Sequence, residues 1–197
     1  MANKVSVVDA NSWHIADNPS IYEPARNNNF EFLVMGVDNL LKAGVLESEA
    51  EGDESAYLND GQEIIRLSVN KAPVPHFSQS EISISRGNVK SYYAGPIEYK
   101  EGTLEVIDYI GASGKSILMA WQALSGKSVK GLVGRAKDYK KECILVEYSP
   151  DYSEKLRSWR LKGCWIKELS EDDFSHESPD KKIVRATIRY DRAIPEE

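Results

Sequence analysis

Apolar residues recur along most of this chain at every second position, in short runs separated by polar, glycine- and proline-rich breaks. Between Gln62 and Asn70, Ile65, Leu67 and Val69 alternate with Arg66, Ser68 and Asn70. That alternation predicts a strand with one packed and one wet face. Phe30 to Val37, Ser80 to Val89, Thr103 to Ile110, Glu142 to Tyr148, Leu156 to Gly163 and Lys182 to Tyr190 read the same way. One segment has a different period. From Ser113 to Gly126 the apolar residues fall at 117, 118, 121 and 124, with Ser113 placed to cap the start and Gly126 the end. Six or seven strands and one helix predict a mainly β protein, an antiparallel sandwich or barrel with one flanking α-helix.

At 197 residues the chain fits one domain. Residues 1–29 show no sustained period and read as an N-terminal arm with apolar anchors at Trp13, Ile21 and Tyr22. Residues 30–197 are the expected β domain. It is interrupted near 42–61 by an acidic insertion in which Glu47, Glu49, Glu51, Asp53, Glu54 and Asp60 have no Lys or Arg among them. The formal net charge of the whole chain is -6, so no broad field favours nucleic acid, and a DNA-reading module is not expected. The apolar runs are too short to span a bilayer.

Candidate chemistry is sparse. Strand, Gly111-Ala-Ser-Gly-Lys-Ser116 and helix follow one another as in a phosphate-binding loop, but the spacing that motif needs puts glycine where Tyr109 stands. The second Gly-Lys-Ser, at 126–128, would need glycine where Trp121 stands. A capped helix start explains the first. His14, His76 and His176 are isolated, and Cys143 and Cys164 match no zinc or redox spacing. No nucleophile with a base and no paired carboxylates appear. No catalytic residue, cofactor or metal is therefore assigned, and a structural role is expected.

The most specific residues are Asp138-Tyr-Lys-Lys-Glu-Cys-Ile-Leu-Val-Glu-Tyr148, Trp159-Arg-Leu-Lys-Gly-Cys-Trp165 and Ile183-Val-Arg-Ala-Thr-Ile-Arg-Tyr-Asp191. In that order, with Ala25-Arg-Asn-Asn-Asn-Phe-Glu-Phe32 upstream and Trp121-Gln122 between, the chain resembles the tail tube proteins of contractile-tailed bacteriophages, which are related to type VI secretion tubes. The resemblance implies hexameric rings with a shared inner β-barrel, stacked into a hollow conduit for DNA ejection. Implied partners are further copies, a contractile sheath, a tape-measure protein, and the baseplate and tail terminator. Genome DNA would pass without specific binding, no membrane is involved, and the location would be the virion tail after assembly in the host cytoplasm. The alternative is a secretion-system or injection-particle tube of the same fold. Pro73 to Gly95 aligns with the family's long stacking loop, which makes His76, Phe77, Tyr92 and Tyr93 the expected ring-stacking residues. Ser68, Asn70, Ser83 and Ser85 are the expected lumen-facing ones. Arg66, Arg185 and Arg189 are expected to be paired with carboxylates or turned away from the bore, since a bore lined with unpaired cations would hold DNA.

Overall fold

A computed structural model describes residues 24–38, 40, 61–110, 113–127, 131–172 and 180–196. Most of the predicted arm and the acidic insertion lie outside the described residues. The strands are β1 (Phe30–Val34), β2 (Val69–Lys71), β3 (Phe77–Arg86), β4 (Val89–Tyr99), β5 (Gly102–Ile107), β6 (Gly126–Lys127), β7 (Leu132–Val133), β8 (Lys141–Tyr148), β9 (Lys155–Glu171), β10 (Ile183–Arg189) and β11 (Arg192–Glu196). The helices are α1 (Gly61–Ser68), α2 (Gly114–Ser125) and the single turn α3 (Ala136–Tyr139). The fold is mainly β and antiparallel, with α2 as the predicted flanking helix.

β9 organises the molecule because it belongs to two sheets. Its first half lies between β8 and β11, with β1 beyond β8; its second half pairs with β10, which leads on through β5 to β2. The bend between the halves is at Gly163, whose φ of +71° lies in the left-handed region. A Cβ there would also sit 2.2 Å from the Asp191 carboxylate. Asp191 marks the matching bend between β10 and β11, and its amide donates to the Lys162 carbonyl at 2.9 Å. The sequence expectation ended this strand at Gly163. The glycine is instead a corner inside a longer strand, which is a known use of glycine in barrels.

The core lies between the two sheets and beneath α2. Phe32, Leu104, Val106, Leu145, Leu161, Ile166, Val184 and Ile188 meet Ile117, Leu118 and Trp121 of the helix, and Cys143 and Cys164 are buried free thiols among them. α2 begins as its sequence predicts, with the Ser113 hydroxyl accepting from the Ser116 amide at 3.2 Å.

One predicted strand is a helix. Gln62–Asn70 carries two overlapping patterns: Ile65, Leu67 and Val69 recur at period two, whereas Gly61, Ile64, Ile65 and Ser68 fall at helical spacing. The helix wins through polar bonds, most of them to residues distant in sequence. The Gln62 amide donates to Asp38 at 2.9 Å, and Arg66 pairs with Glu63 one turn back at 2.7 Å and with Glu31 of β1 at 3.0 Å. Gly61 permits the close approach, since a Cβ there would lie 2.7 Å from the Val37 carbonyl. As a result only Ile65 of the expected apolar face is fully buried, while Leu67 is 65% exposed. Ser68, expected to line a lumen, is buried at 2% exposure beside the start of α2, 3.6 Å from where a Cβ on Gly114 would be.

Candidate assembly surfaces

β3 and β4 form a hairpin that pairs only with itself among the described residues. It turns at Gly87-Asn88, where Gly87 has φ +64°, and at ten residues β3 extends about 33 Å. The register sorts its side chains. Beyond a bulge where Gly95 and Pro96 oppose Ser80, one face carries the cross-strand pairs Ile82–Tyr93, Ile84–Ser91 and Arg86–Val89. The other face carries Glu81–Ala94, Ser83–Tyr92 and Ser85–Lys90. Ile82, Ile84, Val89, Tyr92 and Tyr93 are all exposed.

The predicted stacking residues thus divide. Tyr93 joins the apolar face. Tyr92 stands on the opposite, polar face, together with the lumen candidates Ser83 and Ser85. Phe77 is at the hairpin root, edge-on to Tyr99 with ring centroids 5.9 Å apart. His76 precedes it, exposed, with Nδ1 3.3 Å from the Val74 carbonyl oxygen. Sequence reasoning placed exposed β-forming residues here but grouped Tyr92 with Tyr93, which alternation puts on opposite faces; the bulge sets only how this distal part is phased against the hairpin root.

The second surface is the outward face of β2, β5, β10 and the end of β9. Across it run a row of Ser170, Arg185, Glu105 and Lys71 and a row of Glu168, Thr187 and Thr103. Its cations are neutralised locally. Arg185 meets Asp172 and Glu105, Arg189 meets Glu98 at 2.8 Å and Glu101 at 3.9 Å, and Lys71 meets Glu105 at 3.8 Å. Hydrogen bonds hold the carboxyls of Glu98 (from Arg189) and Asp172 (from Arg185) below the usual carboxylate range. Asn70 belongs to this face, 3.5 Å from Glu105 and accepting from Lys181 at 3.1 Å. The expected pairing of Arg66, Arg185 and Arg189 is what the geometry has.

The glycine-rich helix start offers no phosphate cradle. Asp108 accepts from the Ser113 hydroxyl at 2.9 Å and from the Lys115 amide at 3.4 Å, so a carboxylate already satisfies that helix end. Lys115 is drawn aside to Glu171 at 2.6 Å. Hydrogen bonds from Lys115 and Lys182 keep the Glu171 carboxyl below its ordinary range. Among the described residues no three His, Cys, Asp or Glu side chains converge as metal ligands. No described helix is long and apolar enough to cross a membrane. His14, His176 and the acidic side chains from Glu47 to Asp60 lie outside the described residues.

No family model and no curated protein matches the chain. Solved structures do. A chain of the sheath-tube complex of the PVC extracellular contractile injection system, in its extended state, is 19% identical over 89% of this chain and 93% of its own, with TM-score 0.57. A chain of the sheath/tube terminator of the same kind of system is 16% identical over 90% of this chain and 100% of its own, with TM-score 0.60. The tube-terminating cap of the anti-feeding prophage gives 14% identity, coverage of 93% and 98%, and TM-score 0.59. The fold of this chain is the one found in the tube and terminator components of contractile injection systems.

Proposed function

We propose that the chain is a structural, non-catalytic tube subunit of a contractile tail. Six copies form a ring, and rings stack into a hollow conduit for DNA inside a sheath. The observation that carries this reading is the β3–β4 hairpin. A two-stranded ribbon alone in water is marginal at best, and this one exposes an apolar distal face and two open edges. Such edges invite pairing with another chain, and the next ring supplies one. An interface of different patches that closes by rotation makes a ring, and repetition along the axis makes a tube.

A second reading, the tube of a phage-derived injection particle, is favoured by the kind of assembly to which the three similar structures belong. The two readings share the subunit and differ in cargo. Electron microscopy of the concentrated chain tests what they share: rings and stacked tubes are expected, and a monodisperse monomer at every concentration would overturn it.

The bore wall in this reading is the outward face of β2, β5, β10 and the end of β9. Asn70, Thr103, Glu105, Glu168, Ser170, Arg185 and Thr187 face the lumen. The hairpin serves stacking, with His76 and Phe77 at its root and Tyr93 on the contact face. A wall whose cations are paired within the subunit releases few counterions from DNA, so tubes should bind duplex weakly and with little dependence on salt. Removing the partners of Arg185 by Glu105→Gln with Asp172→Asn leaves Arg185 without its ion pairs in each copy and also takes from Lys71 its 3.8 Å pair with Glu105. Affinity measured from 50 to 200 mM salt should then fall steeply, by about 0.9 in log-log slope per phosphate contacted. Steep salt dependence in the unaltered tube would rule out this wall.

A further inference from the structure

The hairpin is not merely attached; its root is clamped against the bend between β10 and β11. Tyr190 lies at the centre of that clamp, 3% exposed. The His76 amide donates to the Tyr190 hydroxyl at 3.2 Å, and the hydroxyl in turn donates to the His76 carbonyl at 3.4 Å. The Lys100 amide closes on the same carbonyl at 3.0 Å, so the phenol grips His76, where the chain enters the hairpin, and His76 in turn ties down Lys100, where the chain leaves it. Around it, Tyr99 packs on the Tyr190 ring with centroids 5.8 Å apart and donates its own hydroxyl to the Ala193 carbonyl at 3.3 Å. Arg189 reaches Glu98 on the outer side at 2.8 Å. Burial raises the Tyr190 pKa above its ordinary value, which keeps the proton the second hydrogen bond needs.

We propose that Tyr190 is a positioning residue whose hydroxyl fixes the angle at which the β3–β4 hairpin leaves the body. The hairpin then meets a neighbouring subunit as a pre-set lever rather than as a loop ordered on contact. The geometry stands on the root alone; the consequence for stacking rests on the tube reading. A lever held in its bound orientation loses less freedom on docking, and that difference appears as affinity.

The test separates hydroxyl from ring. Spin labels at Asn88→Cys, on the hairpin tip, and Lys137→Cys, on the exposed turn α3, report the hairpin angle in the dispersed full chain; Cys143 and Cys164 are 0% exposed and should not take label. Tyr190→Phe keeps the packing and removes only the hydroxyl. Its distance distribution should widen at least twofold relative to the labelled parent. Because a hydrogen bond to backbone contributes modestly, the protein concentration needed for tube formation should rise about 5- to 10-fold. Glu98→Gln, which removes the charge from the exposed outer pair with Arg189 and from the 3.8 Å pair with Lys100, should widen the distribution less.

An unchanged distribution in Tyr190→Phe would overturn the proposal, since a packing role alone predicts that result. Equal widening by Glu98→Gln would overturn it too, by assigning the angle to the ion pair. Failure of the parent chain to form tubes would count against the tube reading, while the label distances would still decide the role of Tyr190.

Discussion

A variant in which a short Gly/Ser link replaces residues 78–97 is expected to remain folded and to lose tube formation entirely. No residue of that segment belongs to the buried core or packs directly against it. Tyr99, which does, is retained. The link would join Phe77 to Glu98, leaving the His76–Lys100 closure and the Tyr190 contacts in place. Unfolding followed by circular dichroism should therefore give a midpoint within about 4 °C of the parent, the range of a surface change worth up to ~1 kcal/mol in a chain of this size. Sedimentation and electron microscopy should show single subunits or isolated rings at concentrations where the parent forms long tubes. A milder pair sharpens the point. Ile82→Ser with Tyr93→Ser removes the aromatic–aliphatic pair of the apolar distal face but keeps the ribbon, whereas Ser83→Ala with Ser85→Ala alters only the polar face. The first should abolish stacking, because hot spots concentrate in aromatic and aliphatic anchors that lose water; the second should leave it nearly intact. Normal tubes from the hairpin replacement would remove this element from the assembly.

The parts of the fold legible in the sequence are those where one local signal dominates. α2 was readable because its capping serine, apolar period and closing glycine agree over fourteen residues, and β10 because strict alternation of Val184, Ala186 and Ile188 matches a sheet with a single packed face. β8 was readable as a strand but not in its phase, since in the unbroken apolar run Cys143–Val146 the core takes Cys143 and Leu145 rather than Ile144. α1 was misread where two periods fit the same residues. What decided it was Asp38, twenty-four positions upstream of the amide it caps, a contact no local pattern announces. β9 was cut short for a similar reason: glycine ends a strand or turns it, and only the partner strand, with Asp191 against the bend, distinguishes the two.

The candidate surfaces were half legible. The pairing of Arg185 and Arg189, expected from the conduit that the resemblance implies as one of two ways to keep the bore from holding DNA, is present. Tyr92 and Tyr93 were expected to act together although neighbours on a strand face opposite ways, and the phase of the distal hairpin against its root did not follow, because a bulge of one residue exchanges the two faces of β4 beyond it. Asn70 could be expected on a wet sheet face because β2 does begin at Val69. Ser68 could not be placed correctly, since it is the last residue of α1, which turns that side chain inward.

Trp121→Ala is expected to give the largest loss of stability of any single change in the described core. The ring is fully buried, and it joins three elements that are distant in sequence. It lies on the core face of α2, its Nε1 donates to the Tyr139 carbonyl of α3 at 2.8 Å, and Tyr139 meets Trp165 of β9 edge-on, with centroids 6.1 Å apart. Truncation removes the apolar contact and leaves a cavity that neighbouring strands, held in register on both edges, cannot collapse to fill. Such changes cost about 3–5 kcal/mol, which for this size corresponds to a fall in Tm of roughly 6–20 °C. Trp121→Phe should separate the two contributions. It keeps much of the volume but leaves the Tyr139 carbonyl without its indole donor, so its cost should be smaller, about 1–3 kcal/mol. Because α3 borders the second half of β9, whose far end closes the proposed bore wall, the Ala variant should lower the temperature at which rings dissociate along with that of unfolding. The hairpin replacement affects stacking alone. Chemical denaturation of both variants, with ring integrity followed by sedimentation in parallel, makes the comparison. A loss below about 1 kcal/mol in Trp121→Ala, the size of an ordinary surface change, would mean that α2 does not close the core as its buried face indicates.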